Sequence, residues 1–171
     1  IVYYEIPTAS IAGDTTICVG ESSEILVSLT GVGPWSITYT AAPGGTFTED
    51  GIMTNTFAIP VTPGISTIYT MTEVSDSNCP GTAAGVSLVN VNTPPTVSTA
   101  ITECESTNSQ YTVTFQIFGG DPNSYTVMPA GSGTIDQDGV FVSNFINSGD
   151  EFQFFVDDGN GCGPVEVNET F

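Results

Sequence analysis

Short stretches in which apolar and polar residues alternate run through the whole chain, a pattern typical of β-strands with one buried face. In the first half these stretches are 24–30, 35–40, 67–74 and 86–91. In the second half they are 111–117, 125–127, 140–142, 152–156 and 165–167. No stretch carries an apolar stripe of useful length at helical spacing. About seven short strands in each half predict an all-β chain of two β-sandwiches.

An approximate internal repeat supports this division into halves. Pro7-Thr8 and Pro95-Thr96 are 88 residues apart, and each pair leads into a segment with an early and a late cysteine. The linker between the halves is a strand that enters Pro94-Pro95, which predicts a short, stiff junction. Residues 2–6 resemble the last strand of a preceding domain. We therefore expect residues 1–6 to belong to that domain, with sandwiches at 7–93 and 94–171.

The four cysteines follow the same repeat. They are Cys18, Cys79, Cys104 and Cys162, and four cysteines allow three pairings. The repeat favours one disulfide in each sandwich, Cys18–Cys79 and Cys104–Cys162, each clipping loops near one pole. In the loop-entropy model, closing a loop of this length with a disulfide stabilises the folded state by roughly 4 kcal/mol. The alternative is free thiols in a reducing compartment.

The charge of the chain excludes several functions. It has 171 residues with no Lys, Arg or His and nineteen carboxylates, a net charge of −19. Nucleic-acid binding and attraction to anionic lipid both need cations, and histidine-based catalysis has no residue to use. No apolar run is long enough to insert in a membrane. Glycoside hydrolysis needs only carboxylates, but nothing selects a pair such as Glu103 and Glu105, so we predict no catalytic residues.

Acidic residues in two predicted turns are candidate calcium ligands. Asp136 and Asp138 resemble the opening of a calcium loop without its later ligands, and Asp157 and Asp158 add oxygen ligands in another turn. The alternative is ordinary turn chemistry, because Asp and Asn before Gly are common hairpin residues. Trp35 is expected in the core, and stacking on carbohydrate is its alternative role.

Three segments of the first half and four of the second carry a resemblance to a known family. Segments 17–22, 33–39 and 69–79 contain Cys18, the Pro34-Trp35 strand and the turn before Cys79. Segments 111–115, 119–122, 148–149 and 154–162 match a sister repeat type. The chain resembles the PKD-like/Ig-like repeats of Bacteroidota cell-surface adhesins, although the second half has no counterpart to Trp35.

This resemblance implies two tandem Ig-like/PKD-like β-sandwiches, each with one disulfide, in a protein exported by type nine secretion. It implies an extracellular repeat segment of a gliding or biofilm adhesin or filament, with neighbouring repeats as partners and polymerisation as an option. Thr15 in Asp14-Thr15-Thr16 fits the O-glycosylation acceptor of this bacterial group, and Asn168 fits an N-glycosylation site. The alternatives are a glycan- or protein-binding module, with calcium as its cofactor, and an accessory domain of a secreted hydrolase.

Overall fold

The computed structural model describes residues 4–107 and 109–169, and this part of the chain contains eighteen β-strands and no helix. The chain divides into two compact units, residues 1–91 (unit 1) and 92–171 (unit 2). The prediction of an all-β chain built of sandwiches is confirmed.

Unit 1 consists of two sheets. The strands are β1 (Thr8–Ala12), β2 (Thr15–Cys18), β3 (Ser23–Thr30), β4 (Trp35–Ala42), β5 (Thr46–Ile52), β6 (Thr56–Val61), β7 (Thr67–Ser75), β8 (Thr82–Ala84) and β9 (Val86–Asn92). One sheet has the order β6-β3-β1-β8 and the other has the order β2-β9-β7-β4-β5. Strand β1 pairs antiparallel with β3 and parallel with β8.

The core of unit 1 follows directly from the alternation in the sequence. Ile25 and Val27 of β3 are fully buried, and the intervening residues face solvent. On the opposite sheet, Trp35 and Ile37 of β4 point inward. The indole Nε1 of Trp35 donates a 2.9 Å hydrogen bond to the backbone oxygen of Thr30. Burial with a satisfied N–H confirms the core role of this residue and removes it as a stacking surface.

Unit 2 repeats the plan with shorter strands. They are β10 (Thr96–Val97), β11 (Ile101–Cys104), β12 (Gln110–Phe118), β13 (Thr126–Met128), β14 (Gly133–Ile135), β15 (Val140–Ser143), β16 (Ile146–Asn147), β17 (Gln153–Asp157) and β18 (Val165–Asn168). One sheet has the order β10-β12-β15-β14, with β11 and β16 also paired to β12. The other sheet has the order β13-β17-β18.

Phenylalanines fill much of the core of unit 2, which contains no tryptophan. The ring centroids of Phe115 and Phe141 are 4.9 Å apart, and those of Phe141 and Phe154 are 5.1 Å apart. These three side chains come from both sheets and are buried. An aromatic cluster of this kind packs the two layers without a polar group that needs a partner.

The alternating pattern located four strands of unit 1 and five of unit 2, and missed others that include β5 and β6. Every alternating stretch named above is a strand or overlaps one. Strands β8 and β16, of three and two residues, are too short to show a period. The edge strand β5 is exposed at five of its seven positions and so lacks an apolar face. Residues 4–6 are in no strand; the rest of the strand predicted at 2–6 lies outside the described residues.

Candidate functional site

The cysteines form the most informative chemical feature of the chain. Cys18 and Cys162 are each disulfide-bonded. Cys79 and Cys104 are free thiols, the first half-buried and the second exposed. Both predicted pairs, Cys18–Cys79 and Cys104–Cys162, are therefore wrong, as is the expectation of one disulfide in each sandwich.

The pairing predicted for unit 1 fails because its two cysteines lie at opposite ends of the sandwich. Asp14 accepts a hydrogen bond from the backbone N–H of Leu88, and β2 then runs along β9 to end at Cys18. The start of β7 lies beside this end of β9, and Cys79 follows the other end of β7. The nine residues of β7 extend about 30 Å, far beyond the Cα separation of a disulfide.

Unit 2 separates its cysteines in the same way. Cys104 ends β11 opposite Tyr111, at the start of β12. The turn that contains Cys162 lies at the far end of β12, because the Asp158 carboxylate accepts a 2.9 Å hydrogen bond from the N–H of Asp121, just beyond that strand. We call Cys18 and Cys104 the strand cysteines, since each ends the second strand of its unit. We call Cys79 and Cys162 the turn cysteines.

The turns that hold Cys79 and Cys162 are built alike. Asp76 Oδ1 accepts hydrogen bonds from the N–H groups of Asn78 at 2.8 Å and Cys79 at 2.9 Å. Asp158 Oδ1 accepts one from Asn160 at 3.0 Å, again two residues on. In each case an aspartate closes an Asx turn just before the cysteine.

The sulfur atoms of the two turn cysteines also occupy matching places. Cys79 Sγ lies 3.8 Å from the backbone oxygen of Glu5, and Cys162 Sγ lies 3.8 Å from that of Asn92. Each of these oxygens belongs to the segment just before a buried proline, Pro7 in unit 1 and Pro95 in unit 2. The turn cysteine of each unit is therefore held against the chain that enters that unit.

Hydrogen bonds from the backbone and from neutral side chains stabilise the ionised carboxylates of a chain that has no cationic side chains. The backbone N–H groups of Cys79 and Asn78 lower the pKa of Asp76, and those of Asn123 with the Ser124 hydroxyl lower the pKa of Asp121. Such bonds favour the charged form because only that form is a full acceptor.

Of the four carboxylates proposed for calcium, Asp157 is the last residue of β17 and the other three lie between strands. Asp136 Oδ1 accepts hydrogen bonds from Asp138 N–H at 3.0 Å and Val140 N–H at 2.8 Å. Asp157 Oδ1 accepts one from Asp158 N–H at 2.8 Å. Within residues 4–107 and 109–169, no group of three or more His, Cys, Asp or Glu side chains is placed to hold a metal ion. The turn alternative accounts for these hydrogen bonds without calcium.

A shallow groove of about 330 Å³ lies beside Cys104, with Tyr111, Asp150 and Glu151 among its walls. The Tyr111 hydroxyl donates to the backbone oxygen of Asp150. Burial, with the nearby charges of Glu169, Asp150 and Glu151, raises the tyrosine pKa. The groove is open and strongly negative.

Glu105, a member of the carboxylate pair considered for hydrolysis, accepts a hydrogen bond from the Ser109 hydroxyl at 2.5 Å. Hydroxyls of Ser109 and Thr107 lower its pKa. A general acid for glycoside cleavage needs a raised pKa, so the environment of Glu105 is the opposite of what that role requires.

The two glycosylation candidates lie in strands. Thr15 is half-buried in β2. Asn168 is exposed at the end of β18, and its amide donates a 3.0 Å hydrogen bond to Glu166. The third residue of its acceptor pattern, Thr170, lies outside the described residues.

Comparison with solved structures identifies the sandwich type. A titin I-band fragment, I67–I69, matches 97% of this chain and 63% of its own length, at 16% identity and a TM-score of 0.54. The eight N-terminal Ig domains of Down syndrome cell adhesion molecule match 97% of this chain and 27% of their own length, at 14% identity and a TM-score of 0.59. The chain has the Ig-like fold. It spans less than two thirds of either relative.

The family comparison agrees with this Ig-like fold. Residues 6–87, which correspond closely to unit 1, match the model of the Ig-like domain of nucleoporin POM152. The comparison with curated proteins found no match. Ig-like domains are typically structural or binding modules rather than enzymes, and those with disulfides are typical of extracellular or cell-surface proteins. No helix among the described residues is long and apolar enough to cross a membrane.

Proposed function

We propose that this chain is a load-bearing structural segment of an extracellular bacterial surface adhesin or filament. The observation that carries the proposal is its division into two Ig-like sandwiches, each with its own hydrophobic core. Successive domains of this kind separate a binding tip from a surface without chemistry of their own. The two solved relatives are also fragments of several successive Ig domains.

The disulfide supports a mechanical role. Cys18 and Cys162 are each disulfide-bonded. A disulfide limits how far the chain segment that it closes can extend under force. A disulfide of this kind persists in oxidising compartments, which favours an exported protein.

The charge supports a location outside the cell and in many copies. A chain with nineteen carboxylates and no cationic side chain repels its neighbours and stays dispersed until it is anchored. The absence of Lys and Arg also leaves trypsin-like proteases no site, which suits a protein exposed to secreted proteases. The alternative function, a calcium-dependent binding module, has less support. The Asp136 carboxylate already accepts hydrogen bonds from backbone N–H groups of its own turn.

Single-molecule pulling of the chain by its two ends tests the mechanical role. We expect a reductant to lengthen the fully extended chain, because it releases the segment that the disulfide closes. The two sandwiches should then unfold in discrete steps. The matched control is Cys18→Ser, which should extend fully without reductant.

Two results would contradict this proposal. One is smooth extension at low force after reduction, because a load-bearing sandwich must resist unfolding under force. The other is failure of an antibody against the chain to label intact cells of the native source, because that would refute the surface location.

A further inference from the structure

The turn that holds Cys162 contains the single Asn-Gly dipeptide of the chain, Asn160-Gly161. Glycine has no Cβ atom, so its backbone nitrogen can approach the side-chain amide of a preceding asparagine with little steric hindrance. Asn160 is exposed, and Gly161 has a φ of 77°. Water therefore reaches this asparagine, and the backbone that follows it has a conformation that favours glycine.

The side chain of Asn160 is held by a buried carboxylate. Its amide Nδ2 donates a 3.0 Å hydrogen bond to Asp158 Oδ2, and its backbone N–H donates a 3.0 Å hydrogen bond to Asp158 Oδ1. Asp158 is fully buried. The backbone of Gly120 packs directly against this carboxylate, because a Cβ atom added there would lie 2.0 Å from Oδ2. The amide is thus bound to an anion that has no room to move away.

We propose that Asn160 is a site of spontaneous deamidation, that Asp158 restrains the reaction in the folded chain, and that the product irreversibly loosens this turn of unit 2. The co-reactant is water. This modification goes beyond the proposed function and does not depend on it.

The reaction has two steps. The backbone nitrogen of Gly161 attacks Cγ of Asn160, so that a bond from this nitrogen to Cγ forms and the bond from Cγ to Nδ2 breaks. Ammonia leaves with the proton of the Gly161 nitrogen, and a five-membered succinimide remains. Water then opens the ring at Cγ to give aspartate, or at the backbone carbonyl carbon to give isoaspartate. The sum is asparagine plus water giving aspartate or isoaspartate plus ammonia.

Asp158 slows the first step in two ways. The hydrogen bond from Nδ2 fixes the side chain and so limits the rotations by which Cγ approaches the Gly161 nitrogen. The negative charge of Asp158 also opposes loss of the proton from that nitrogen and the negative charge that develops on the amide oxygen during attack. The reaction therefore proceeds mainly from molecules in which this turn has opened locally.

The product places a carboxylate where the folded chain needs a hydrogen-bond donor. In the aspartate product an oxygen replaces Nδ2, which lies 3.0 Å from Asp158 Oδ2. Two carboxylates at this separation repel, so one must take up a proton or move away. The chain has no Lys, Arg or His to neutralise the added charge. Because Gly120 blocks movement of Asp158, the turn around position 160 has to open.

Peptide mapping by mass spectrometry of the chain aged in neutral buffer tests the restraint. Asn147 is the internal reference in unit 2, because it is exposed, precedes a serine and donates a 3.2 Å hydrogen bond to the exposed Asp150. We expect Asn160 to deamidate about tenfold or more faster in urea-denatured chain than in folded chain, since a hydrogen bond to a charged group stabilises the closed turn by about that factor. The increase at Asn147 should be smaller.

A variant of the buried carboxylate separates its effect from general unfolding. Asp158→Ala should speed deamidation of Asn160 in the absence of urea and leave the rate at Asn147 unchanged. Equal acceleration of both sites would count against Asp158 as the restraint.

Asn160→Asp reproduces one product and tests the consequence. We expect the urea midpoint of unit 2, followed by hydrogen exchange, to fall by about 1 M, because the two carboxylates repel in a buried position. Asn160→Ala removes the amide donor without adding charge and should lower the midpoint less. Asn147→Asp is the matched control, since it adds the same charge beside the exposed Asp150, where water screens it.

Three results would overturn the inference. The first is deamidation at Asn160 that is no faster than at Asn147 in the denatured chain. The second is an equal rate at Asn160 in the folded and the denatured chain. The third is an Asn160→Asp variant that is as stable as the Asn147→Asp variant. None of these results affects the proposed function, which the pulling experiment tests separately.

Discussion

At the scale of single residues, the chain shows how acidic side chains are accommodated without any cation. Asp158 is fully buried, yet both of its carboxylate oxygens accept hydrogen bonds. Its donors are the backbone N–H groups of Asp121 and Asn160 and the side-chain amide of Asn160. Charge-assisted bonds of this kind are stronger than neutral ones. A single buried aspartate therefore fastens the turn of Cys162 to the end of β12.

Replacing this aspartate should destabilise unit 2. Asp158→Ala leaves two partly buried backbone N–H groups without an acceptor, and we expect a loss of about 3 kcal/mol in the free energy of unfolding. Hydrogen exchange of unit 2 amides in urea measures the effect. Asp138→Ala, at an exposed turn position, is the matched control and should change stability by less than about 0.5 kcal/mol. Equal effects of the two variants would contradict the structural role assigned to Asp158.

At the scale of elements, the strands are positioned by close backbone contacts that a periodicity does not reveal. The turn after β7 packs on the segment that enters unit 1. The N–H of Thr82 donates a 3.0 Å hydrogen bond to the backbone oxygen of Pro7, and a Cβ atom on Gly81 would lie 1.9 Å from that same oxygen. Gly81 is required because of this contact and not because of its φ angle. The contact fixes the turn of Cys79 against the entering chain.

Gly81→Ala should therefore destabilise unit 1 by about 2 kcal/mol or more, because backbone atoms cannot move aside cheaply. The matched control is Gly64→Ala, where an added Cβ meets nothing within 4 Å. That substitution should be neutral or slightly stabilising, because it reduces the entropy of the unfolded chain. Trp35 lies in the core of unit 1, so its fluorescence during urea unfolding reports on that unit alone. A larger loss in Gly64→Ala would refute the steric explanation.

At the scale of the whole molecule, the uniform sign of the charge opposes folding. With a net charge of −19, every long-range interaction between side-chain charges is repulsive. Unfolding separates the carboxylates and relieves this repulsion, while salt screens it in the folded state. The Debye length falls from about 30 Å at 0.01 M to about 3 Å at 1 M salt. Stability should therefore depend on ionic strength more strongly than in a protein of mixed charge.

We expect the melting temperature to rise by about 5 °C or more between about 0.01 M and about 1 M NaCl, measured by circular dichroism under non-reducing conditions. KCl should give the same rise, because screening does not depend on the identity of the cation. CaCl₂ at equal ionic strength distinguishes screening from a specific site. A rise with calcium far above that with sodium would show a calcium site, and no rise with any salt would contradict the repulsion argument.

The disulfide pairing shows most directly where sequence reasoning ended. Similar spacings of Cys18 to Cys79 and of Cys104 to Cys162 favoured one bond in each sandwich. That inference used only distance along the chain. In the folded protein, β7 and β12 carry the members of each pair to opposite ends of their unit.

The amino-acid sequence alone predicts the fold class, the two-part repeat, most of the long strands and the core role of Trp35. Alternation and turn residues are local properties, and the physical effects behind them act over a few neighbouring residues. The folded arrangement was needed to learn which cysteines are bonded, which carboxylates close turns and which glycine touches backbone. These features depend on the end of a sheet that each residue reaches. Strand order and register determine which end of the sheet a residue reaches, and both arise from interactions between segments far apart in sequence.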